Sequence, residues 1–177
     1  VNAIGIVKQL PDASNRERSI LVNSLLPHKL ASICKIHGAK LIHISTDCVF
    51  DGSRGGYRET DQTTATDLYG RTKALGEVIN DTDLTLRTSI IGHELPPSHH
   101  GLLEWMLRQT WTRVPGYTWS IFSGVTTIEL ARTIDTVIQN NPDLTGLYHV
   151  AAPPIAKYDL LTMINATFEL GATIVRD

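Results

Sequence analysis

The sequence predicts an α/β fold built on a parallel sheet, and three observations lead there. Short apolar runs of strand length, "VNAIGIV", "AKLIHIS" and "LTLRTSII", recur along the 177 residues. Segments with apolar side chains at helical spacing separate them, which is the βαβ rhythm. The composition is that of a packed domain, with 42% hydrophobic and 19% charged residues.

"VNAIGIV", residues 1–7, is apolar and branched, as a buried strand should be. Ile20, Leu21, Leu25, Leu30, Ile33 and Cys34 then mark a helical segment from about Ser14 to His37. Pro27 predicts a kink or a break within it, and Gly38 its end. "AKLIHIS" is the next strand, followed by a polar, glycine-bearing loop from Asp47 to about Asp67. "LYGRTKALGEVIN" reads as a helix and "LTLRTSII" as a third strand. Residues 93–123, rich in Pro, His and Trp, interrupt the rhythm. Inside them "HGLLEWMLRQT" predicts a helix with Leu102, Leu103, Met106 and Leu107 inward. A helix from Thr127 to Asn140, the strand "GLYHVA", the helix "KYDLLTMINATFEL" and a short strand "ATIV" complete the reading.

Charge excludes several function classes. Sixteen basic against eighteen acidic residues give a net −2 with no run of either sign, so no nucleic-acid surface is expected. The apolar runs are strand-sized, so no membrane span is expected either. Cys34 and Cys48 are too few and too far apart for a redox or zinc motif. They read as small core residues of a reduced, cytoplasmic protein. His93, His99 and His100 lie close together but lack a Cys or carboxylate partner at ligand spacing, so no metal is expected. The chain enters an apolar run at Val1 with no signal-peptide pattern before it, which reads as a strand entered in mid-protein and predicts a fragment.

Tyr69 and Lys73 are four apart on a predicted helix, hence on one face. An ammonium near a phenol favours the phenolate and lowers a tyrosine pKa of about 10 by roughly 1–3. Such a tyrosine exchanges a proton with a substrate oxygen near neutral pH. Alone, the pair is as well explained by a surface Tyr and a surface Lys. Ser45 and Thr46 add to it: they end the preceding strand, where ligands of open α/β sheets sit. A hydroxyl there can hold a substrate carbonyl while charge develops on its oxygen.

"STDCVFDG", "Y-x-E-T-D" at 57–61 and "LYGRTKALGE" resemble the extended short-chain dehydrogenase/reductase superfamily, and within it the dTDP-4-dehydrorhamnose reductase family. "LRTS" at 86–89 and "GLYHV" followed by "KYDLL" fall in that family's order. The resemblance implies the later half of a Rossmann-like parallel sheet with helices on both faces, plus part of a small substrate lobe. It divides the chain into a partial NAD(P)-binding domain, residues 1–92 and 124–151, and a partial substrate-binding lobe, residues 93–123 and 152–177. It implies reduction of a nucleotide-linked 4-keto sugar, with NADPH or NADH as cofactor, in polysaccharide precursor synthesis. In that scheme Thr46 bonds the C4 ketone, Tyr69 donates the proton, and Lys73 lowers the tyrosine pKa and holds the nicotinamide ribose. Asn2, Ala3 and Ser45, with Thr88 and Ser89, would lie on the cofactor side; Asp47 and Arg87 would lie on the substrate side. Asp47 and Asp51 serve equally well as turn caps.

Cys48 stands where the related dehydratases carry glutamate, so elimination chemistry is not expected; many of these reductases carry tyrosine there. No glycine-rich turn opening a helix is present to hold a pyrophosphate, so the 177 residues alone are expected to turn over little. Other readings on the same scaffold are a non-catalytic or regulatory subunit and an epimerase; a homodimer is left open. Trp105, Trp111, Trp119 and Tyr117 could stack on a ligand, with half of them expected in the core. Glu77, four beyond Lys73, reads as a helix-surface ion pair, and Glu59 and Asp61 as shaping the loop before the helix.

Overall fold

Apolar, branched side chains put "IHIST" into an extended strand, and its neighbours pair with it in parallel. The computed structural model describes residues 1–95 and 100–177, apart from the Asp12 side chain. In chain order the helices and strands begin with α1 (Arg16–Ser19), which runs through a π-helical stretch, Ile20–Leu25, into α2 (Leu26–Ile36). There follow β1 (Ile42–Thr46), α3 (Leu68–Leu75), β2 (Leu84–Thr88), β3 (Ile90–Ile91) and α4 (Leu102–Leu107). Next come β4 (Arg113–Gly116), β5 (Ile121–Phe122), β6 (Val125–Thr126) and α5 (Thr127–Asn140). The chain closes with β7 (Gly146–His149), β8 (Ile155–Ala156), α6 (Lys157–Thr167) and β9 (Thr173–Arg176).

The chain forms two units, Val1–Thr88 with Thr133–Val150, and Ser89–Arg132 with Ala151–Asp177. In the first, the parallel order β1-β2-β7 carries Ile42 opposite Leu84 and Leu84 opposite Gly146. Ile42, Leu84 and Leu86 pack on Val137 of α5 on one face. On the other face Thr85 Oγ donates to the Val78 carbonyl at 2.7 Å and Ser45 Oγ to Glu77 at 2.8 Å, beside α3. Helices therefore cover both faces. In the second unit, Leu103 and Met106 of α4 and Leu160, Leu161 and Ile164 of α6 form a separate core with Val114, Leu170 and Ala172. There β4 pairs with β9 and β3 with β6 in parallel, while β5 pairs with β8 antiparallel.

Several expectations are corrected. "VNAIGIV" is not a strand beyond a single bridge, Asn2 to His43. Asn2 N–H donates to Ile42 O at 2.8 Å, but by Ile6 the main chain is bonded instead to the Asn23 side chain, at 2.8 and 3.0 Å. Pro27 does not break the helix into two: a π-helical stretch, Ile20–Leu25, runs directly into α2, with the proline in the first turn of α2. Asn15 caps the start, accepting Arg18 N–H at 3.0 Å. "LYGRTKALGEVIN" stops being helical after Leu75, and "LTLRTSII" is interrupted at Ser89. Trp111 and Trp119 are 85% and 94% exposed, and Trp105 and Tyr117 are exposed too, so none of the four is core. Both cysteines are free and half-buried rather than core. His99 of the histidine trio lies outside the described residues; His93 Nδ1 pairs with Glu104 at 2.9 Å. No helix among the described residues is long and apolar enough to cross a membrane.

Candidate functional site

Tyr69 reaches the end of β1 because α3 begins hard against the turn that follows it. Gly70 permits the approach: a methyl there would overlap the Cys48 carbonyl and the Ala65 side chain. Asp67 caps the helix, accepting Gly70 N–H at 3.0 Å, and pairs with Lys8 Nζ at 3.1 Å. The Lys8 ammonium also lies 5.7 Å from the centre of the Tyr69 ring. Neither Lys8 nor its link to Asp67 had any signal in the sequence.

Thr46 is the buried last residue of β1, and its Oγ accepts Cys48 N–H at 3.1 Å. Its hydroxyl donates to Asp47 Oδ1 at 3.3 Å. Lys73, one turn further along α3 and also buried, donates from Nζ to the Ile44 carbonyl at 2.7 Å. Burial pushes the Tyr69 phenol up to about 12; the Thr46 hydroxyl opposes this, and Cys48, Asp47 and Asp67 add to it. The expected depression by Lys73 is therefore not found, because desolvation of the phenolate dominates. Burial likewise pulls Lys73 down to about 8, with Glu77 resisting. At neutral pH the pair is a neutral phenol and a charged ammonium. That is the protonation state of a proton donor.

The other expected residues divide by position. Asn2 is buried, with its amide 3.1 Å from His43 Nδ1, and Ala3 is exposed next to it. Burial, then the Lys73 charge, lowers His43 to about 3 and so keeps it neutral; its Nε2 has no partner among the described residues. Ser45 is buried and turned away from Thr46, donating to Glu77. Thr88 pairs in register with Thr46, and Asp47 is exposed at the turn. Ser89 opens the second unit, its carbonyl accepting Val125 N–H at 2.9 Å. Arg87 is 4% exposed and engaged by Glu77 and His149, so its guanidinium is held within the unit rather than offered at a surface. Glu77 is the residue whose sequence reading fails most plainly, being buried and paired with Arg87. Glu59 and Asp61 do shape the loop: Glu59 accepts His149 N–H at 2.9 Å and Asp61 accepts Arg58 N–H at 2.7 Å. A groove of about 420 Å³ between α2 and the Val78–Asp83 turn contains none of the expected site residues.

Comparison with known proteins adds an independent line. The family described as RmlD substrate binding domain matches residues 12–175. A dTDP-4-keto-6-deoxy-D-glucose reductase of Streptomyces niveus is 32% identical over 171 residues, 86% of this chain and 53% of that protein. A crystal structure of a hypothetical dTDP-4-dehydrorhamnose reductase from Sulfolobus tokodaii superposes with a TM-score of 0.86 at 25% identity, covering 99% of this chain and 63% of that one. The dTDP-4-dehydrorhamnose reductase of Bacillus anthracis, solved in complex with NADP, has a TM-score of 0.84 at 23% identity over 99% of this chain and 63% of that one, a likeness of fold. The chain thus spans between about half and two thirds of the length of these relatives.

Proposed function

Since the chain belongs to the RmlD substrate-binding domain family, the family of the dTDP-4-dehydrorhamnose reductases, we propose that it forms the catalytic part of an NAD(P)H-dependent reductase of a nucleotide-linked 4-keto sugar. The reaction would serve polysaccharide precursor synthesis in the cytoplasm. One observation carries this reading: Thr46 ends β1 buried, and on the helix packed against that turn Tyr69 stands one turn before a buried Lys73 bonded to the Ile44 carbonyl.

A bound nicotinamide would supply the hydride. Thr46 holds the ketone oxygen, and Tyr69 delivers the proton to that oxygen as it becomes an alkoxide. Lys73 keeps a positive charge beside the developing anion, and its remaining N–H groups suit ribose hydroxyls. The donor set fits such a cofactor: Lys73, Asn2 and Thr88 are buried polar residues at or beside the carboxyl ends of parallel strands. Ala3, Ser45 and Ser89 complete the cofactor side of the proposal, and Asp47 the substrate side. Arg87 acts from behind, through the groups it fixes. The partial cofactor domain corresponds to the first unit and the partial substrate lobe to the second. A homodimer completes the reading, tested by sedimentation at two concentrations.

The test is NADPH oxidation with a dTDP-linked 4-keto-6-deoxy sugar, using protein expressed from the complete reading frame. Tyr69→Phe is expected to lower kcat by about 10²–10⁴-fold with an unchanged fold. Unchanged turnover would remove Tyr69 from the mechanism. Inversion of the sugar without net NADPH consumption would replace reduction by epimerisation.

A further inference from the structure

Helical spacing puts Glu77 on the Lys73 face of α3, but α3 has ended at Leu75. A methyl at Gly76 would overlap the Asn23 carbonyl oxygen, so the chain turns there against the π-helical stretch. Glu77 leaves the helix and is buried, its side chain 4% exposed like that of Arg87. Its Oε1 accepts from Ser45 Oγ at 2.8 Å and Arg87 Nε at 2.7 Å, and its Oε2 from Arg87 Nη2 at 2.8 Å. Arg87 Nη1 lies 3.3 Å from His149 Nε2, and the guanidinium sits 5.0 Å from the Phe50 ring centre. One carboxylate therefore ties the carboxyl ends of β1, β2 and β7 to the segment leaving the catalytic helix.

We propose that Glu77 is a positioning residue for the reaction, fixing through Ser45 the end of β1 that presents Thr46. The proposal rests on the functional reading of Thr46 and Lys73 given above. Ser45 immediately precedes Thr46, and Lys73 is bonded to the carbonyl of Ile44, immediately before Ser45. The groups that act on the Lys73 ammonium are Glu77 from its own segment and, from β1, neutral His43 and the Ile44 carbonyl. A buried ion pair with no other role can be exchanged for apolar residues of similar volume at little loss. Glu77 has a further dependant, the Ser45 hydroxyl, that such an exchange leaves without its acceptor, and its charge favours the Lys73 ammonium.

Two variants separate these cases. Glu77→Gln keeps the shape but leaves Arg87 buried without its partner; Glu77→Met with Arg87→Met removes both charges together. In whichever folds, the Lys73 ammonium is titrated by lysine side-chain NMR in the 177-residue chain. Turnover is measured on the protein from the complete reading frame. Positioning predicts a Lys73 midpoint lower by roughly one pH unit, and kcat lower by about tenfold with KM within about threefold. A folded variant with the wild-type Lys73 midpoint, or with wild-type kcat, overturns the proposal. If the wild type reduces no keto sugar, the functional reading falls while the titration still judges Glu77.

Discussion

Lys73 and Tyr69 carry opposite consequences for pH. Lys73 has its pKa pulled below the ordinary value, to about 8, so its charge is lost as pH rises through 8. Tyr69, raised to about 12, stays protonated throughout that range. Turnover should therefore fall above about pH 8 with a single ionisation, and a kcat profile from pH 6 to 10 checks this. His43 works at the acid end. Its folded pKa of about 3 lies below the ordinary 6.5, so the unfolded chain binds the extra proton first. Stability from this group is present above about pH 6.5 and is lost as pH falls towards 3, by on the order of a few kcal/mol. A neutral His43→Gln variant should flatten that decline, as measured by urea midpoints across the range. At this scale Thr46, Tyr69 and Lys73 were legible because a strand end and a four-residue spacing are local signals. Glu77 was misread because the same spacing rule presumes a helix that Gly76 has already ended.

Element ends are set by glycines for two different reasons, and substitution should tell them apart. Gly38 closes α2 at φ +62° with open space around it, and Ala39 N–H returns to Cys34 O at 2.9 Å. Gly38→Ala should cost about 1–2 kcal/mol, the strain of a left-handed alanine. Gly76 has an ordinary φ of −90°, but no room beside the Asn23 backbone. Gly76→Ala should cost more, about 3 kcal/mol, because backbone rather than a flexible side chain must move. Chemical denaturation of both variants checks the order. Helices of ordinary length were legible from their period. The two-residue strands β5, β6 and β8 were not, since two residues carry no alternation. The wide turn at Ile20–Leu25 also escaped, because Pro27 signals disruption but not the form it takes.

For the whole molecule, two hydrophobic cores without a shared residue make a separable prediction. Leu161→Ala, in the second unit, should cost about 2–5 kcal/mol of that unit's stability. Amide exchange should quicken across α4 and α6 while β1 and β2 keep their protection; uniform quickening would show one cooperative fold. The parallel sheet was legible because strand-length segments alternate with helical ones along the chain. The interleaving of two units was implied by the family resemblance and by no local pattern, since β7 joins β2 from far along the chain. That crossing back has a consequence for biosynthesis. When Thr88 leaves the ribosome, Leu84 and Leu86 still lack Val137 and the strand that will cover their edge. At roughly 5–20 residues per second, the nascent sheet waits several seconds half-finished. During that interval the growing polypeptide presents a sticky flank, and a ribosome-bound chaperone is the natural shield for it.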